Sequence, residues 1–206
     1  MTALPALWLT CADPPIPPIC LDAGERRRAR VFARVTERNR YVAAHTALRR
    51  HLAVRLGVAP RKVALTREPC PTCGGPHGRP VVVGGSPYFS LAYSGDLCLV
   101  AVADTPVGVD MEHIPPPDVV TELIPYLHPR ERDELASLPE IERPLAFART
   151  WVRKESYLKG LGTGLSRGLS TDYVGTGAAP TQDLPGWTIA DVTVHGSRTA
   201  AIALRC

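Results

Sequence analysis

The 206-residue sequence lacks any apolar run close to the roughly 20 residues that a membrane-spanning helix needs. Residues 1–9 also lack the basic segment with which a secretory signal peptide begins. These two absences argue against a membrane protein and predict a cytoplasmic one. We therefore expect the six cysteines to be reduced thiols rather than disulfides.

Aromatic residues and lysine are both scarce. Aromatics make up 6% of the chain and do not alternate with basic residues, so binding of nucleic acid by base stacking is not indicated. The lysines are only Lys62, Lys154 and Lys159, and two of them flank Glu155. This placement indicates a site, although an ordinary Glu–Lys pair one helical turn apart, worth a few tenths of a kcal/mol, is the alternative.

Charge is divided unequally along the chain. Residues 1–107 carry 14 Lys and Arg against 7 Asp and Glu, which leaves +7, whereas residues 108–206 carry 10 against 13, which leaves −3. A basic half beside an acidic half suits a polyanionic ligand that meets a metal site. A solvated, arginine-rich helix would explain the charge alone equally well.

The order of helical and strand patterns predicts an α+β fold with a seam near residue 105. Proline and glycine are absent from Glu25 to Leu56, and apolar residues recur there at helical spacing. The predicted helices are 22–36, 38–56, 118–126, 129–137 and 144–158. The predicted strands are 81–83, 88–93, 97–103 and 107–112, read as an antiparallel meander, followed by 170–174, 187–194 and 199–204.

Asp110 and Glu112 lie two residues apart in the predicted strand 107–112, so both side chains point to the same side. Two carboxylates held together need a counter-ion, and Mg²⁺ prefers carboxylate oxygens. On the helix that begins at Pro144, Phe147, Trp151 and Glu155 recur every four residues, which puts Glu155 at the edge of an apolar face. The pair Asp110 and Glu112 therefore predicts a site for a divalent cation, and Glu155 with its flanking lysines indicates a second functional segment further along the chain.

The segments VGVDME (107–112) and FARTWVRKESYLK (147–159) together resemble the paired signature of the 4′-phosphopantetheinyl transferases, in their large single-chain, Sfp-type branch. That signature reads (V/I)-G-(V/I)-D-x-E and then W-x-x-K-E-(S/A)-x-x-K, and every defining position is filled. The resemblance extends from about Arg26 to Leu204. It implies two similar lobes related by a pseudo-twofold axis, each with a small antiparallel sheet packed on helices. Residues 1–105 would bind coenzyme A phosphates, and residues 106–206 would hold the metal and the catalytic groups.

The resemblance also implies an activity. The family moves the phosphopantetheine arm of coenzyme A to a serine of an acyl- or peptidyl-carrier protein, requires Mg²⁺, and releases adenosine 3′,5′-bisphosphate. A monomer is expected, with no nucleic-acid or membrane partner. The implied catalytic residues are Glu155 as general base, directly or through water, Lys159 near the pyrophosphate, and Lys154 before the acid. The implied metal ligands are Asp110, Glu112, Glu155 and Glu131.

The implied coenzyme A contacts are Arg28, Arg40, Arg79, Pro80, Tyr93 and Ser94. One departure lies among them, because Phe89–Gly95 reads FSLAYSG where the family usually shows F-N-x-S-H-S-G. Ala92 and Tyr93 thus replace a serine and a histidine. A tyrosine hydroxyl donates a hydrogen bond but carries no positive charge at neutral pH. We therefore expect weaker coenzyme A binding unless Arg40 and Arg79 compensate.

Two other functions fit the same residues. Clustered acids beside a basic region also suit a Mg²⁺-dependent nuclease or phosphodiesterase, and the altered Ala92–Tyr93 pair suits an inactive relative that binds carrier protein without transfer.

Separately, Cys70, Cys73 and His77 have knuckle-like spacing. A closed zinc site needs four ligands, and no fourth candidate is near in the sequence, so a glycine-rich loop is the favoured interpretation of this segment.

Overall fold

Within residues 5–12 and 15–206, the part of the chain that the computed structural model describes, eight strands and five α-helices form an α+β fold. The strands are β1 (Ala6–Cys11), β2 (Leu65–Arg67), β3 (Pro80–Val82), β4 (Tyr88–Ser94), β5 (Leu97–Ala103), β6 (Val107–His113), β7 (Trp187–Asp191) and β8 (Arg198–Arg205). The helices are α1 (Ala23–Arg30), α2 (Val35–Leu56), α3 (Pro117–Leu123), α4 (Pro129–Ser137) and α5 (Arg143–Leu161). The predicted fold class, small antiparallel sheets packed on helices, is confirmed.

Each three-stranded sheet takes its strands from one half of the chain. The first has the order β1-β5-β4 and the second β6-β8-β7, while β2 and β3 pair separately, and every pairing is antiparallel. The sheets meet where β4 packs beside β6, and there the Val109 amide donates to Ser90 Oγ at 3.0 Å. A pseudo-twofold relation between the halves, and the boundary between residues 105 and 106, remain predictions.

The predicted meander is wrong at both ends, because only β4 and β5 pair as expected. β3 pairs with β2 in a separate sheet, and β6 leaves the first sheet. Both edges of β5 are already occupied, by β1 on one side and β4 on the other, so β6 has no free edge to pair with there. After the turn that includes Pro106, the chain instead enters the second sheet, where Val107 pairs with Leu204 and His113 with Arg198. The apolar pattern identified the strand correctly but not its partner, which lies nearly 100 residues further along the chain.

The predicted strand at 170–174 is also wrong, because that segment is irregular. Side chains take its backbone hydrogen bonds: Lys154 Nζ donates to the Asp172 carbonyl at 2.5 Å, and the Val174 amide donates to Glu131 Oε1 at 2.8 Å. Conversely, β1 and β2 were not predicted. β1 is a sheet edge with alternate side chains exposed, and its pairing with β5 is non-local, so no neighbouring turn indicates it.

The core lies between the sheets and the two long helices. Leu48 and Leu52 of α2 pack on Phe89 and Val100 of the first sheet, and the second sheet packs against α5. None of the described helices is both long and apolar enough to span a bilayer.

A buried ionic cluster attaches α1 to α2. The Arg49 side chain is fully buried, and its Nε lies 2.5 Å from Glu25 Oε2 while Nη2 pairs with Asp22. Arg49 also donates to the carbonyls of Pro60 and Val63 at 3.0 Å each. Four of the five guanidinium N–H donors therefore have a partner, which limits the cost of burying this charge.

Glycines allow α5 to approach β6 unusually closely. A Cβ added at Gly108 would lie 1.9 Å from the Ser156 carbonyl oxygen and 2.5 Å from the Gly160 amide nitrogen. Only a residue without a side chain fits here, so backbone meets backbone. This contact sets how far α5, which carries Glu155 and Lys159, stands from Asp110 on β6.

Candidate active site

A cleft of about 650 Å³ opens between the two halves of the chain. Its basic lining residues come from both halves and include Arg28 of α1, Arg79 beside β3, and Lys159 of α5. Among the described residues that line it there is no Asp or Glu. The cavity is therefore a positively charged space of the size that a small anionic ligand occupies.

Arg79 joins the two halves at the floor of the cleft. Its Nε lies 2.7 Å from Glu68 Oε2, and its Nη1 donates to the Gly160 carbonyl at the end of α5 at 2.9 Å. The guanidinium carbon stands 5.0 Å from the ring centroid of Tyr88. Arg79 is thus held by an acid, a carbonyl and an aromatic ring before any ligand binds. Arg28 is less constrained and lies over Phe32 at 5.3 Å.

Asp110 lies in the middle of β6 and is only 5% exposed. Its Oδ1 is 2.6 Å from Lys159 Nζ, and the same ammonium group donates to the Val109 carbonyl at 3.2 Å. The other carboxylate oxygen, Oδ2, is buried and has no hydrogen-bond partner among the described residues. A buried polar atom without a partner costs about 1–3 kcal/mol, so this oxygen is available to a hydrogen-bond donor or to a cation.

Glu112 and Glu155 share the electrostatic field of Asp110. The pKa of Glu155 is raised above its ordinary value by burial and then by the negative charge of Asp110. The pKa of Glu112 is raised for the same two reasons, and Glu155 contributes as well. Lys159 opposes the rise at both residues. The charges of the three acids predicted from the sequence therefore lie close enough to influence one another.

The three carboxylates do not surround a single point as the ligands of a bound ion would. In the described part of the chain, the only three or more His, Cys, Asp or Glu ligand atoms that lie within 4.8 Å of one another belong to Cys70, Cys73 and His77. The Lys159 ammonium instead neutralises Asp110 directly. The arrangement is a cluster of acids with an internal counter-ion.

Glu131 and Lys154, which the sequence placed in the metal and catalytic sets, form a buried pair. Lys154 Nζ lies 2.8 Å from Glu131 Oε2, and Glu131 is fully buried. Glu131 also accepts from the amides of His128 and Val174, the first of these as part of the cap of α4. Both carboxylate oxygens thus have partners, which argues for a structural role and against metal binding.

The structure places some of the predicted coenzyme A contacts in the cleft and others outside it. Arg28, Arg79, Pro80 and Tyr93 line the cleft, and Tyr93 is 42% exposed there. Arg40 does not line it: this residue borders a separate depression with Asp96, and its Nε donates to the Thr36 carbonyl at 3.4 Å. Ser94 is buried, with no hydrogen-bond partner for its Oγ among the described residues.

Several residues that line the cleft were not predicted from the sequence. Tyr41 and His45 of α2 reach the cleft, as do Arg67 at the end of β2 and His77 in the loop that follows. Burial, followed by the charges of Glu25 and Asp22, raises the pKa of Tyr41 to about 12, so its phenol stays a hydrogen-bond donor. The helical period of α2 marks its buried face but not which residues border a cavity, so no local pattern identifies them.

Comparison with known proteins identifies the family of this chain. Residues 106–190 match the family model of the 4′-phosphopantetheinyl transferase superfamily. The transferase HetI of Nostoc sp. is 30% identical over 192 residues, which is 89% of this chain and 78% of HetI. The chain belongs to the 4′-phosphopantetheinyl transferase family. A protein of Synechocystis sp., to which that activity is provisionally assigned, is 30% identical over 193 residues, 90% of this transferase and 76% of the relative.

A further relative aligns with a shorter part of the transferase. The 4′-phosphopantetheinyl transferase psf-1 of Bacillus pumilus is 38% identical over 97 residues, 46% of this chain and 41% of that protein. The segment matched by the family model contains β6, α4 and α5. It therefore includes the predicted metal and catalytic residues, which are Asp110, Glu112, Glu131, Lys154, Glu155 and Lys159. The resemblance seen in two short signatures therefore extends to membership of an enzyme family.

Proposed function

We propose that this transferase moves the 4′-phosphopantetheine arm of coenzyme A to a serine of an acyl- or peptidyl-carrier protein and releases adenosine 3′,5′-bisphosphate. One observation carries the proposal: the basic cleft ends at Lys159, whose ammonium lies 2.6 Å from a carboxylate with an unpartnered buried oxygen. A long anion with several phosphates would span the cations, and its diphosphate would lie beside the acids.

The acidic end has the composition of a magnesium site. Asp110, Glu112 and Glu155 would hold Mg²⁺, because hard carboxylate oxygens are its preferred protein ligands and Asp110 Oδ2 has no other partner among the described residues. The ion would neutralise charge that develops on the diphosphate during transfer. Glu131 is left out of this set because Lys154 and two amides already occupy it.

Side chains of the protein position the reactants. Arg28 and Arg79 bind phosphate groups, and Arg79 does so as a preorganised donor because Glu68 and the Gly160 carbonyl fix it. Lys159 offers a second cation to the diphosphate. Phosphoryl transfer is largely positioning and charge neutralisation, so a rigid basic cleft accounts for much of the chemistry.

In the reaction, the serine oxygen forms a bond to the phosphorus that carries the pantetheine arm. The bond from that phosphorus to the leaving phosphate of adenosine 3′,5′-bisphosphate breaks. Glu155, directly or through a water molecule, accepts the serine proton. Its position on α5 suits this role, because the side chain is partly exposed on the same face as Lys159, one turn away.

The carrier protein would approach as an acidic partner of a monomeric enzyme. The excess of arginine in residues 1–107 gives this half a positive field, which accelerates association with a negatively charged protein. In this proposal residues 1–105 hold the coenzyme A phosphates and residues 106–206 hold the metal. The selectivity among fatty-acid, polyketide and peptide carriers would lie in that surface.

The test is incubation with coenzyme A, MgCl₂ and a panel of apo-carrier proteins, followed by mass spectrometry of the carriers. We expect a mass gain of one phosphopantetheine group on at least one carrier, lost when EDTA is in excess over Mg²⁺. Asp110→Asn and Glu155→Gln should abolish the gain, while the matched surface variants Asp118→Asn and Glu122→Gln should retain it.

Other outcomes of the same assay would favour other functions. Carrier binding without a mass gain would indicate an inactive relative. Cleavage of added DNA, RNA or a model phosphodiester, with no carrier modified, would indicate a Mg²⁺-dependent nuclease or phosphodiesterase. Normal turnover in Glu155→Gln would remove Glu155 from the mechanism.

A further inference from the structure

The loop between β2 and β3 brings three soft metal ligands together. The Cys70 amide donates to the Gly75 carbonyl and the Gly74 amide to the Cys70 carbonyl, both at 2.8 Å. Gly74 has a φ of +71°, a conformation that residues with a side chain rarely adopt. This tight turn brings Cys73 close to Cys70, and the chain after the turn brings His77 close to both.

The ligand atoms of Cys70, Cys73 and His77 all lie within 4.8 Å of one another, and Cys73 Sγ is 3.0 Å from His77 Nε2. Around a tetrahedral zinc ion with bonds of roughly 2.0–2.3 Å, neighbouring ligand atoms stand roughly 3.3–3.8 Å apart. The Cys73–His77 distance is a few tenths of an ångström below this range, and the distances from Cys70 to the other two ligand atoms exceed it by at most about 1 Å. No fourth His, Cys, Asp or Glu of the described chain joins the group.

We propose that Cys70, Cys73 and His77 bind a zinc ion whose fourth position is taken by water. Two thiolates and one imidazole form a donor set that favours Zn²⁺ over the Mg²⁺ of the acidic site, which prefers carboxylate oxygens. The sequence favoured a plain loop here because it offered no fourth protein ligand. The structure adds an observation that the sequence alone could not give, because it shows that the three ligand atoms lie close together.

The surroundings of Cys70 suit a thiolate. Burial raises the pKa of this thiol, but hydrogen bonds from the backbone of Cys73 and Thr72, together with the hydrogen bond between Cys70 Sγ and Ser166 Oγ, outweigh it and lower the pKa to about 6. The thiolate is the form that binds metal, so the backbone of the turn prepares the ligand. Cys70 is 2% exposed, which protects a bound ion on that side.

The zinc would organise one wall of the cleft. His77 itself lines the cavity, and Gly78 and Arg79 follow it directly. Cys70 Sγ also lies 3.6 Å from Ser166 Oγ, so the loop contacts the segment after α5. A fixed loop would hold Arg79 where it meets the ligand, and this functional consequence, unlike the zinc site itself, rests on the proposed coenzyme A binding.

The first experiment measures metal in the full-length protein, purified without chelator from medium that contains zinc. We expect about one zinc ion per chain by mass spectrometry of the metal. The Cys73→Ser variant should lose it, while the matched control Cys206→Ser, an exposed cysteine far along the chain, should keep it. In wild-type protein stripped of metal, added Co²⁺ should give the thiolate charge-transfer and tetrahedral ligand-field bands, and Zn²⁺ should abolish them.

Two results would overturn the site: zinc content of the wild type no higher than that of Cys73→Ser, or a Co²⁺ spectrum without thiolate bands. A Cys70–Cys73 disulfide in protein purified under reducing conditions would do the same. The Co²⁺ titration uses wild-type protein, so a variant that fails to fold does not decide the matter.

If the zinc organises the cleft, its removal raises the KM for coenzyme A severalfold and leaves kcat unchanged. An unchanged KM would refute that link, while absence of transfer both with and without zinc would instead count against the proposed function.

Discussion

Replacing Gly108 with alanine tests whether the backbone contact between β6 and α5 sets the geometry of the acidic site. The new Cβ would lie 1.9 Å from the Ser156 carbonyl oxygen, whereas ordinary contacts begin at 3.4 Å. The helix must therefore retreat by about 1.5 Å, because the obstructing atoms are backbone and cannot rotate away. Overpacking of this kind typically costs about 1–3 kcal/mol of unfolding free energy.

The same displacement would separate Lys159 and Glu155 from Asp110. A misplacement of about 1 Å at a catalytic group can lower turnover by about 100-fold, because the reacting atoms leave their productive alignment. We therefore expect Gly108→Ala to reduce transfer by roughly two orders of magnitude. A loss of about 2 kcal/mol would lower the melting temperature by roughly 4–8 °C for a chain of this size.

The assays are urea denaturation for stability and the carrier mass-gain assay for transfer, both run beside Gly177→Ala. A Cβ at Gly177 meets no atom within 4 Å, and its φ is not positive, so this control should stay within about 0.5 kcal/mol of wild type. If Gly108→Ala were as stable as that control, the close packing would not constrain the helix. If it were destabilised but fully active, the spacing of α5 from β6 would not govern the chemistry.

Three further predictions concern the buried ionic cluster and the cleft. Arg49→Ala leaves Glu25 buried without the Arg49 cation and should lower the free energy of unfolding, measured by urea denaturation, by about 3–5 kcal/mol. The exposed control Arg50→Ala should lower it by at most about 0.5 kcal/mol, and equal effects of the two variants would contradict the cluster's role. Burial raises the pKa of Glu25, but hydrogen bonds from His45 and Arg49 outweigh it and lower the pKa below 4.5. This carboxylate therefore stabilises the fold above pH 4.5, and its contribution is lost as the pH falls through the lowered pKa of the folded state. The stability difference between wild type and Glu25→Gln should therefore shrink in that acid range, and a constant difference would refute this. Tyr93→His should lower the KM for coenzyme A by adding a partly charged group to the cleft wall, and an unchanged or higher KM would exclude a phosphate contact there.

The acids could be predicted from the sequence because their placement is local. Asp110 and Glu112 share one side of a strand by the two-residue period, and Glu155 and Lys159 share one side of a helix by the four-residue period. Glu131 shows the limit of such reasoning. An acid three residues after His128 at the start of a helix is also a capping residue, and the structure uses it in that way, paired with Lys154.

Non-local features could not be predicted in this way. The partner of β6 depends on which sheet edges remain free, and β5 has none left once β1 and β4 have paired with it. The set of residues that line the cleft depends on how α2 and the β2–β3 loop pack, so the sequence did not predict His45 and Arg67 there. Arg40, which was predicted to contact coenzyme A, borders a separate depression. Convergence of Cys70, Cys73 and His77 likewise required the folded turn.

The ion pair between Lys159 and Asp110 has a consequence for how the protein is made. A chain that carries its own cation for a buried acid of its active site can reach its native state in a cell before it encounters divalent ions, since Asp110 is not left as a bare charge in the interior. If Mg²⁺ binds at this site as proposed, folding and metal loading are separate events, in contrast to small metal-dependent domains that are unfolded without their ion. The lysine that neutralises the aspartate during synthesis is the same one that would be released toward a phosphate when the enzyme begins to work.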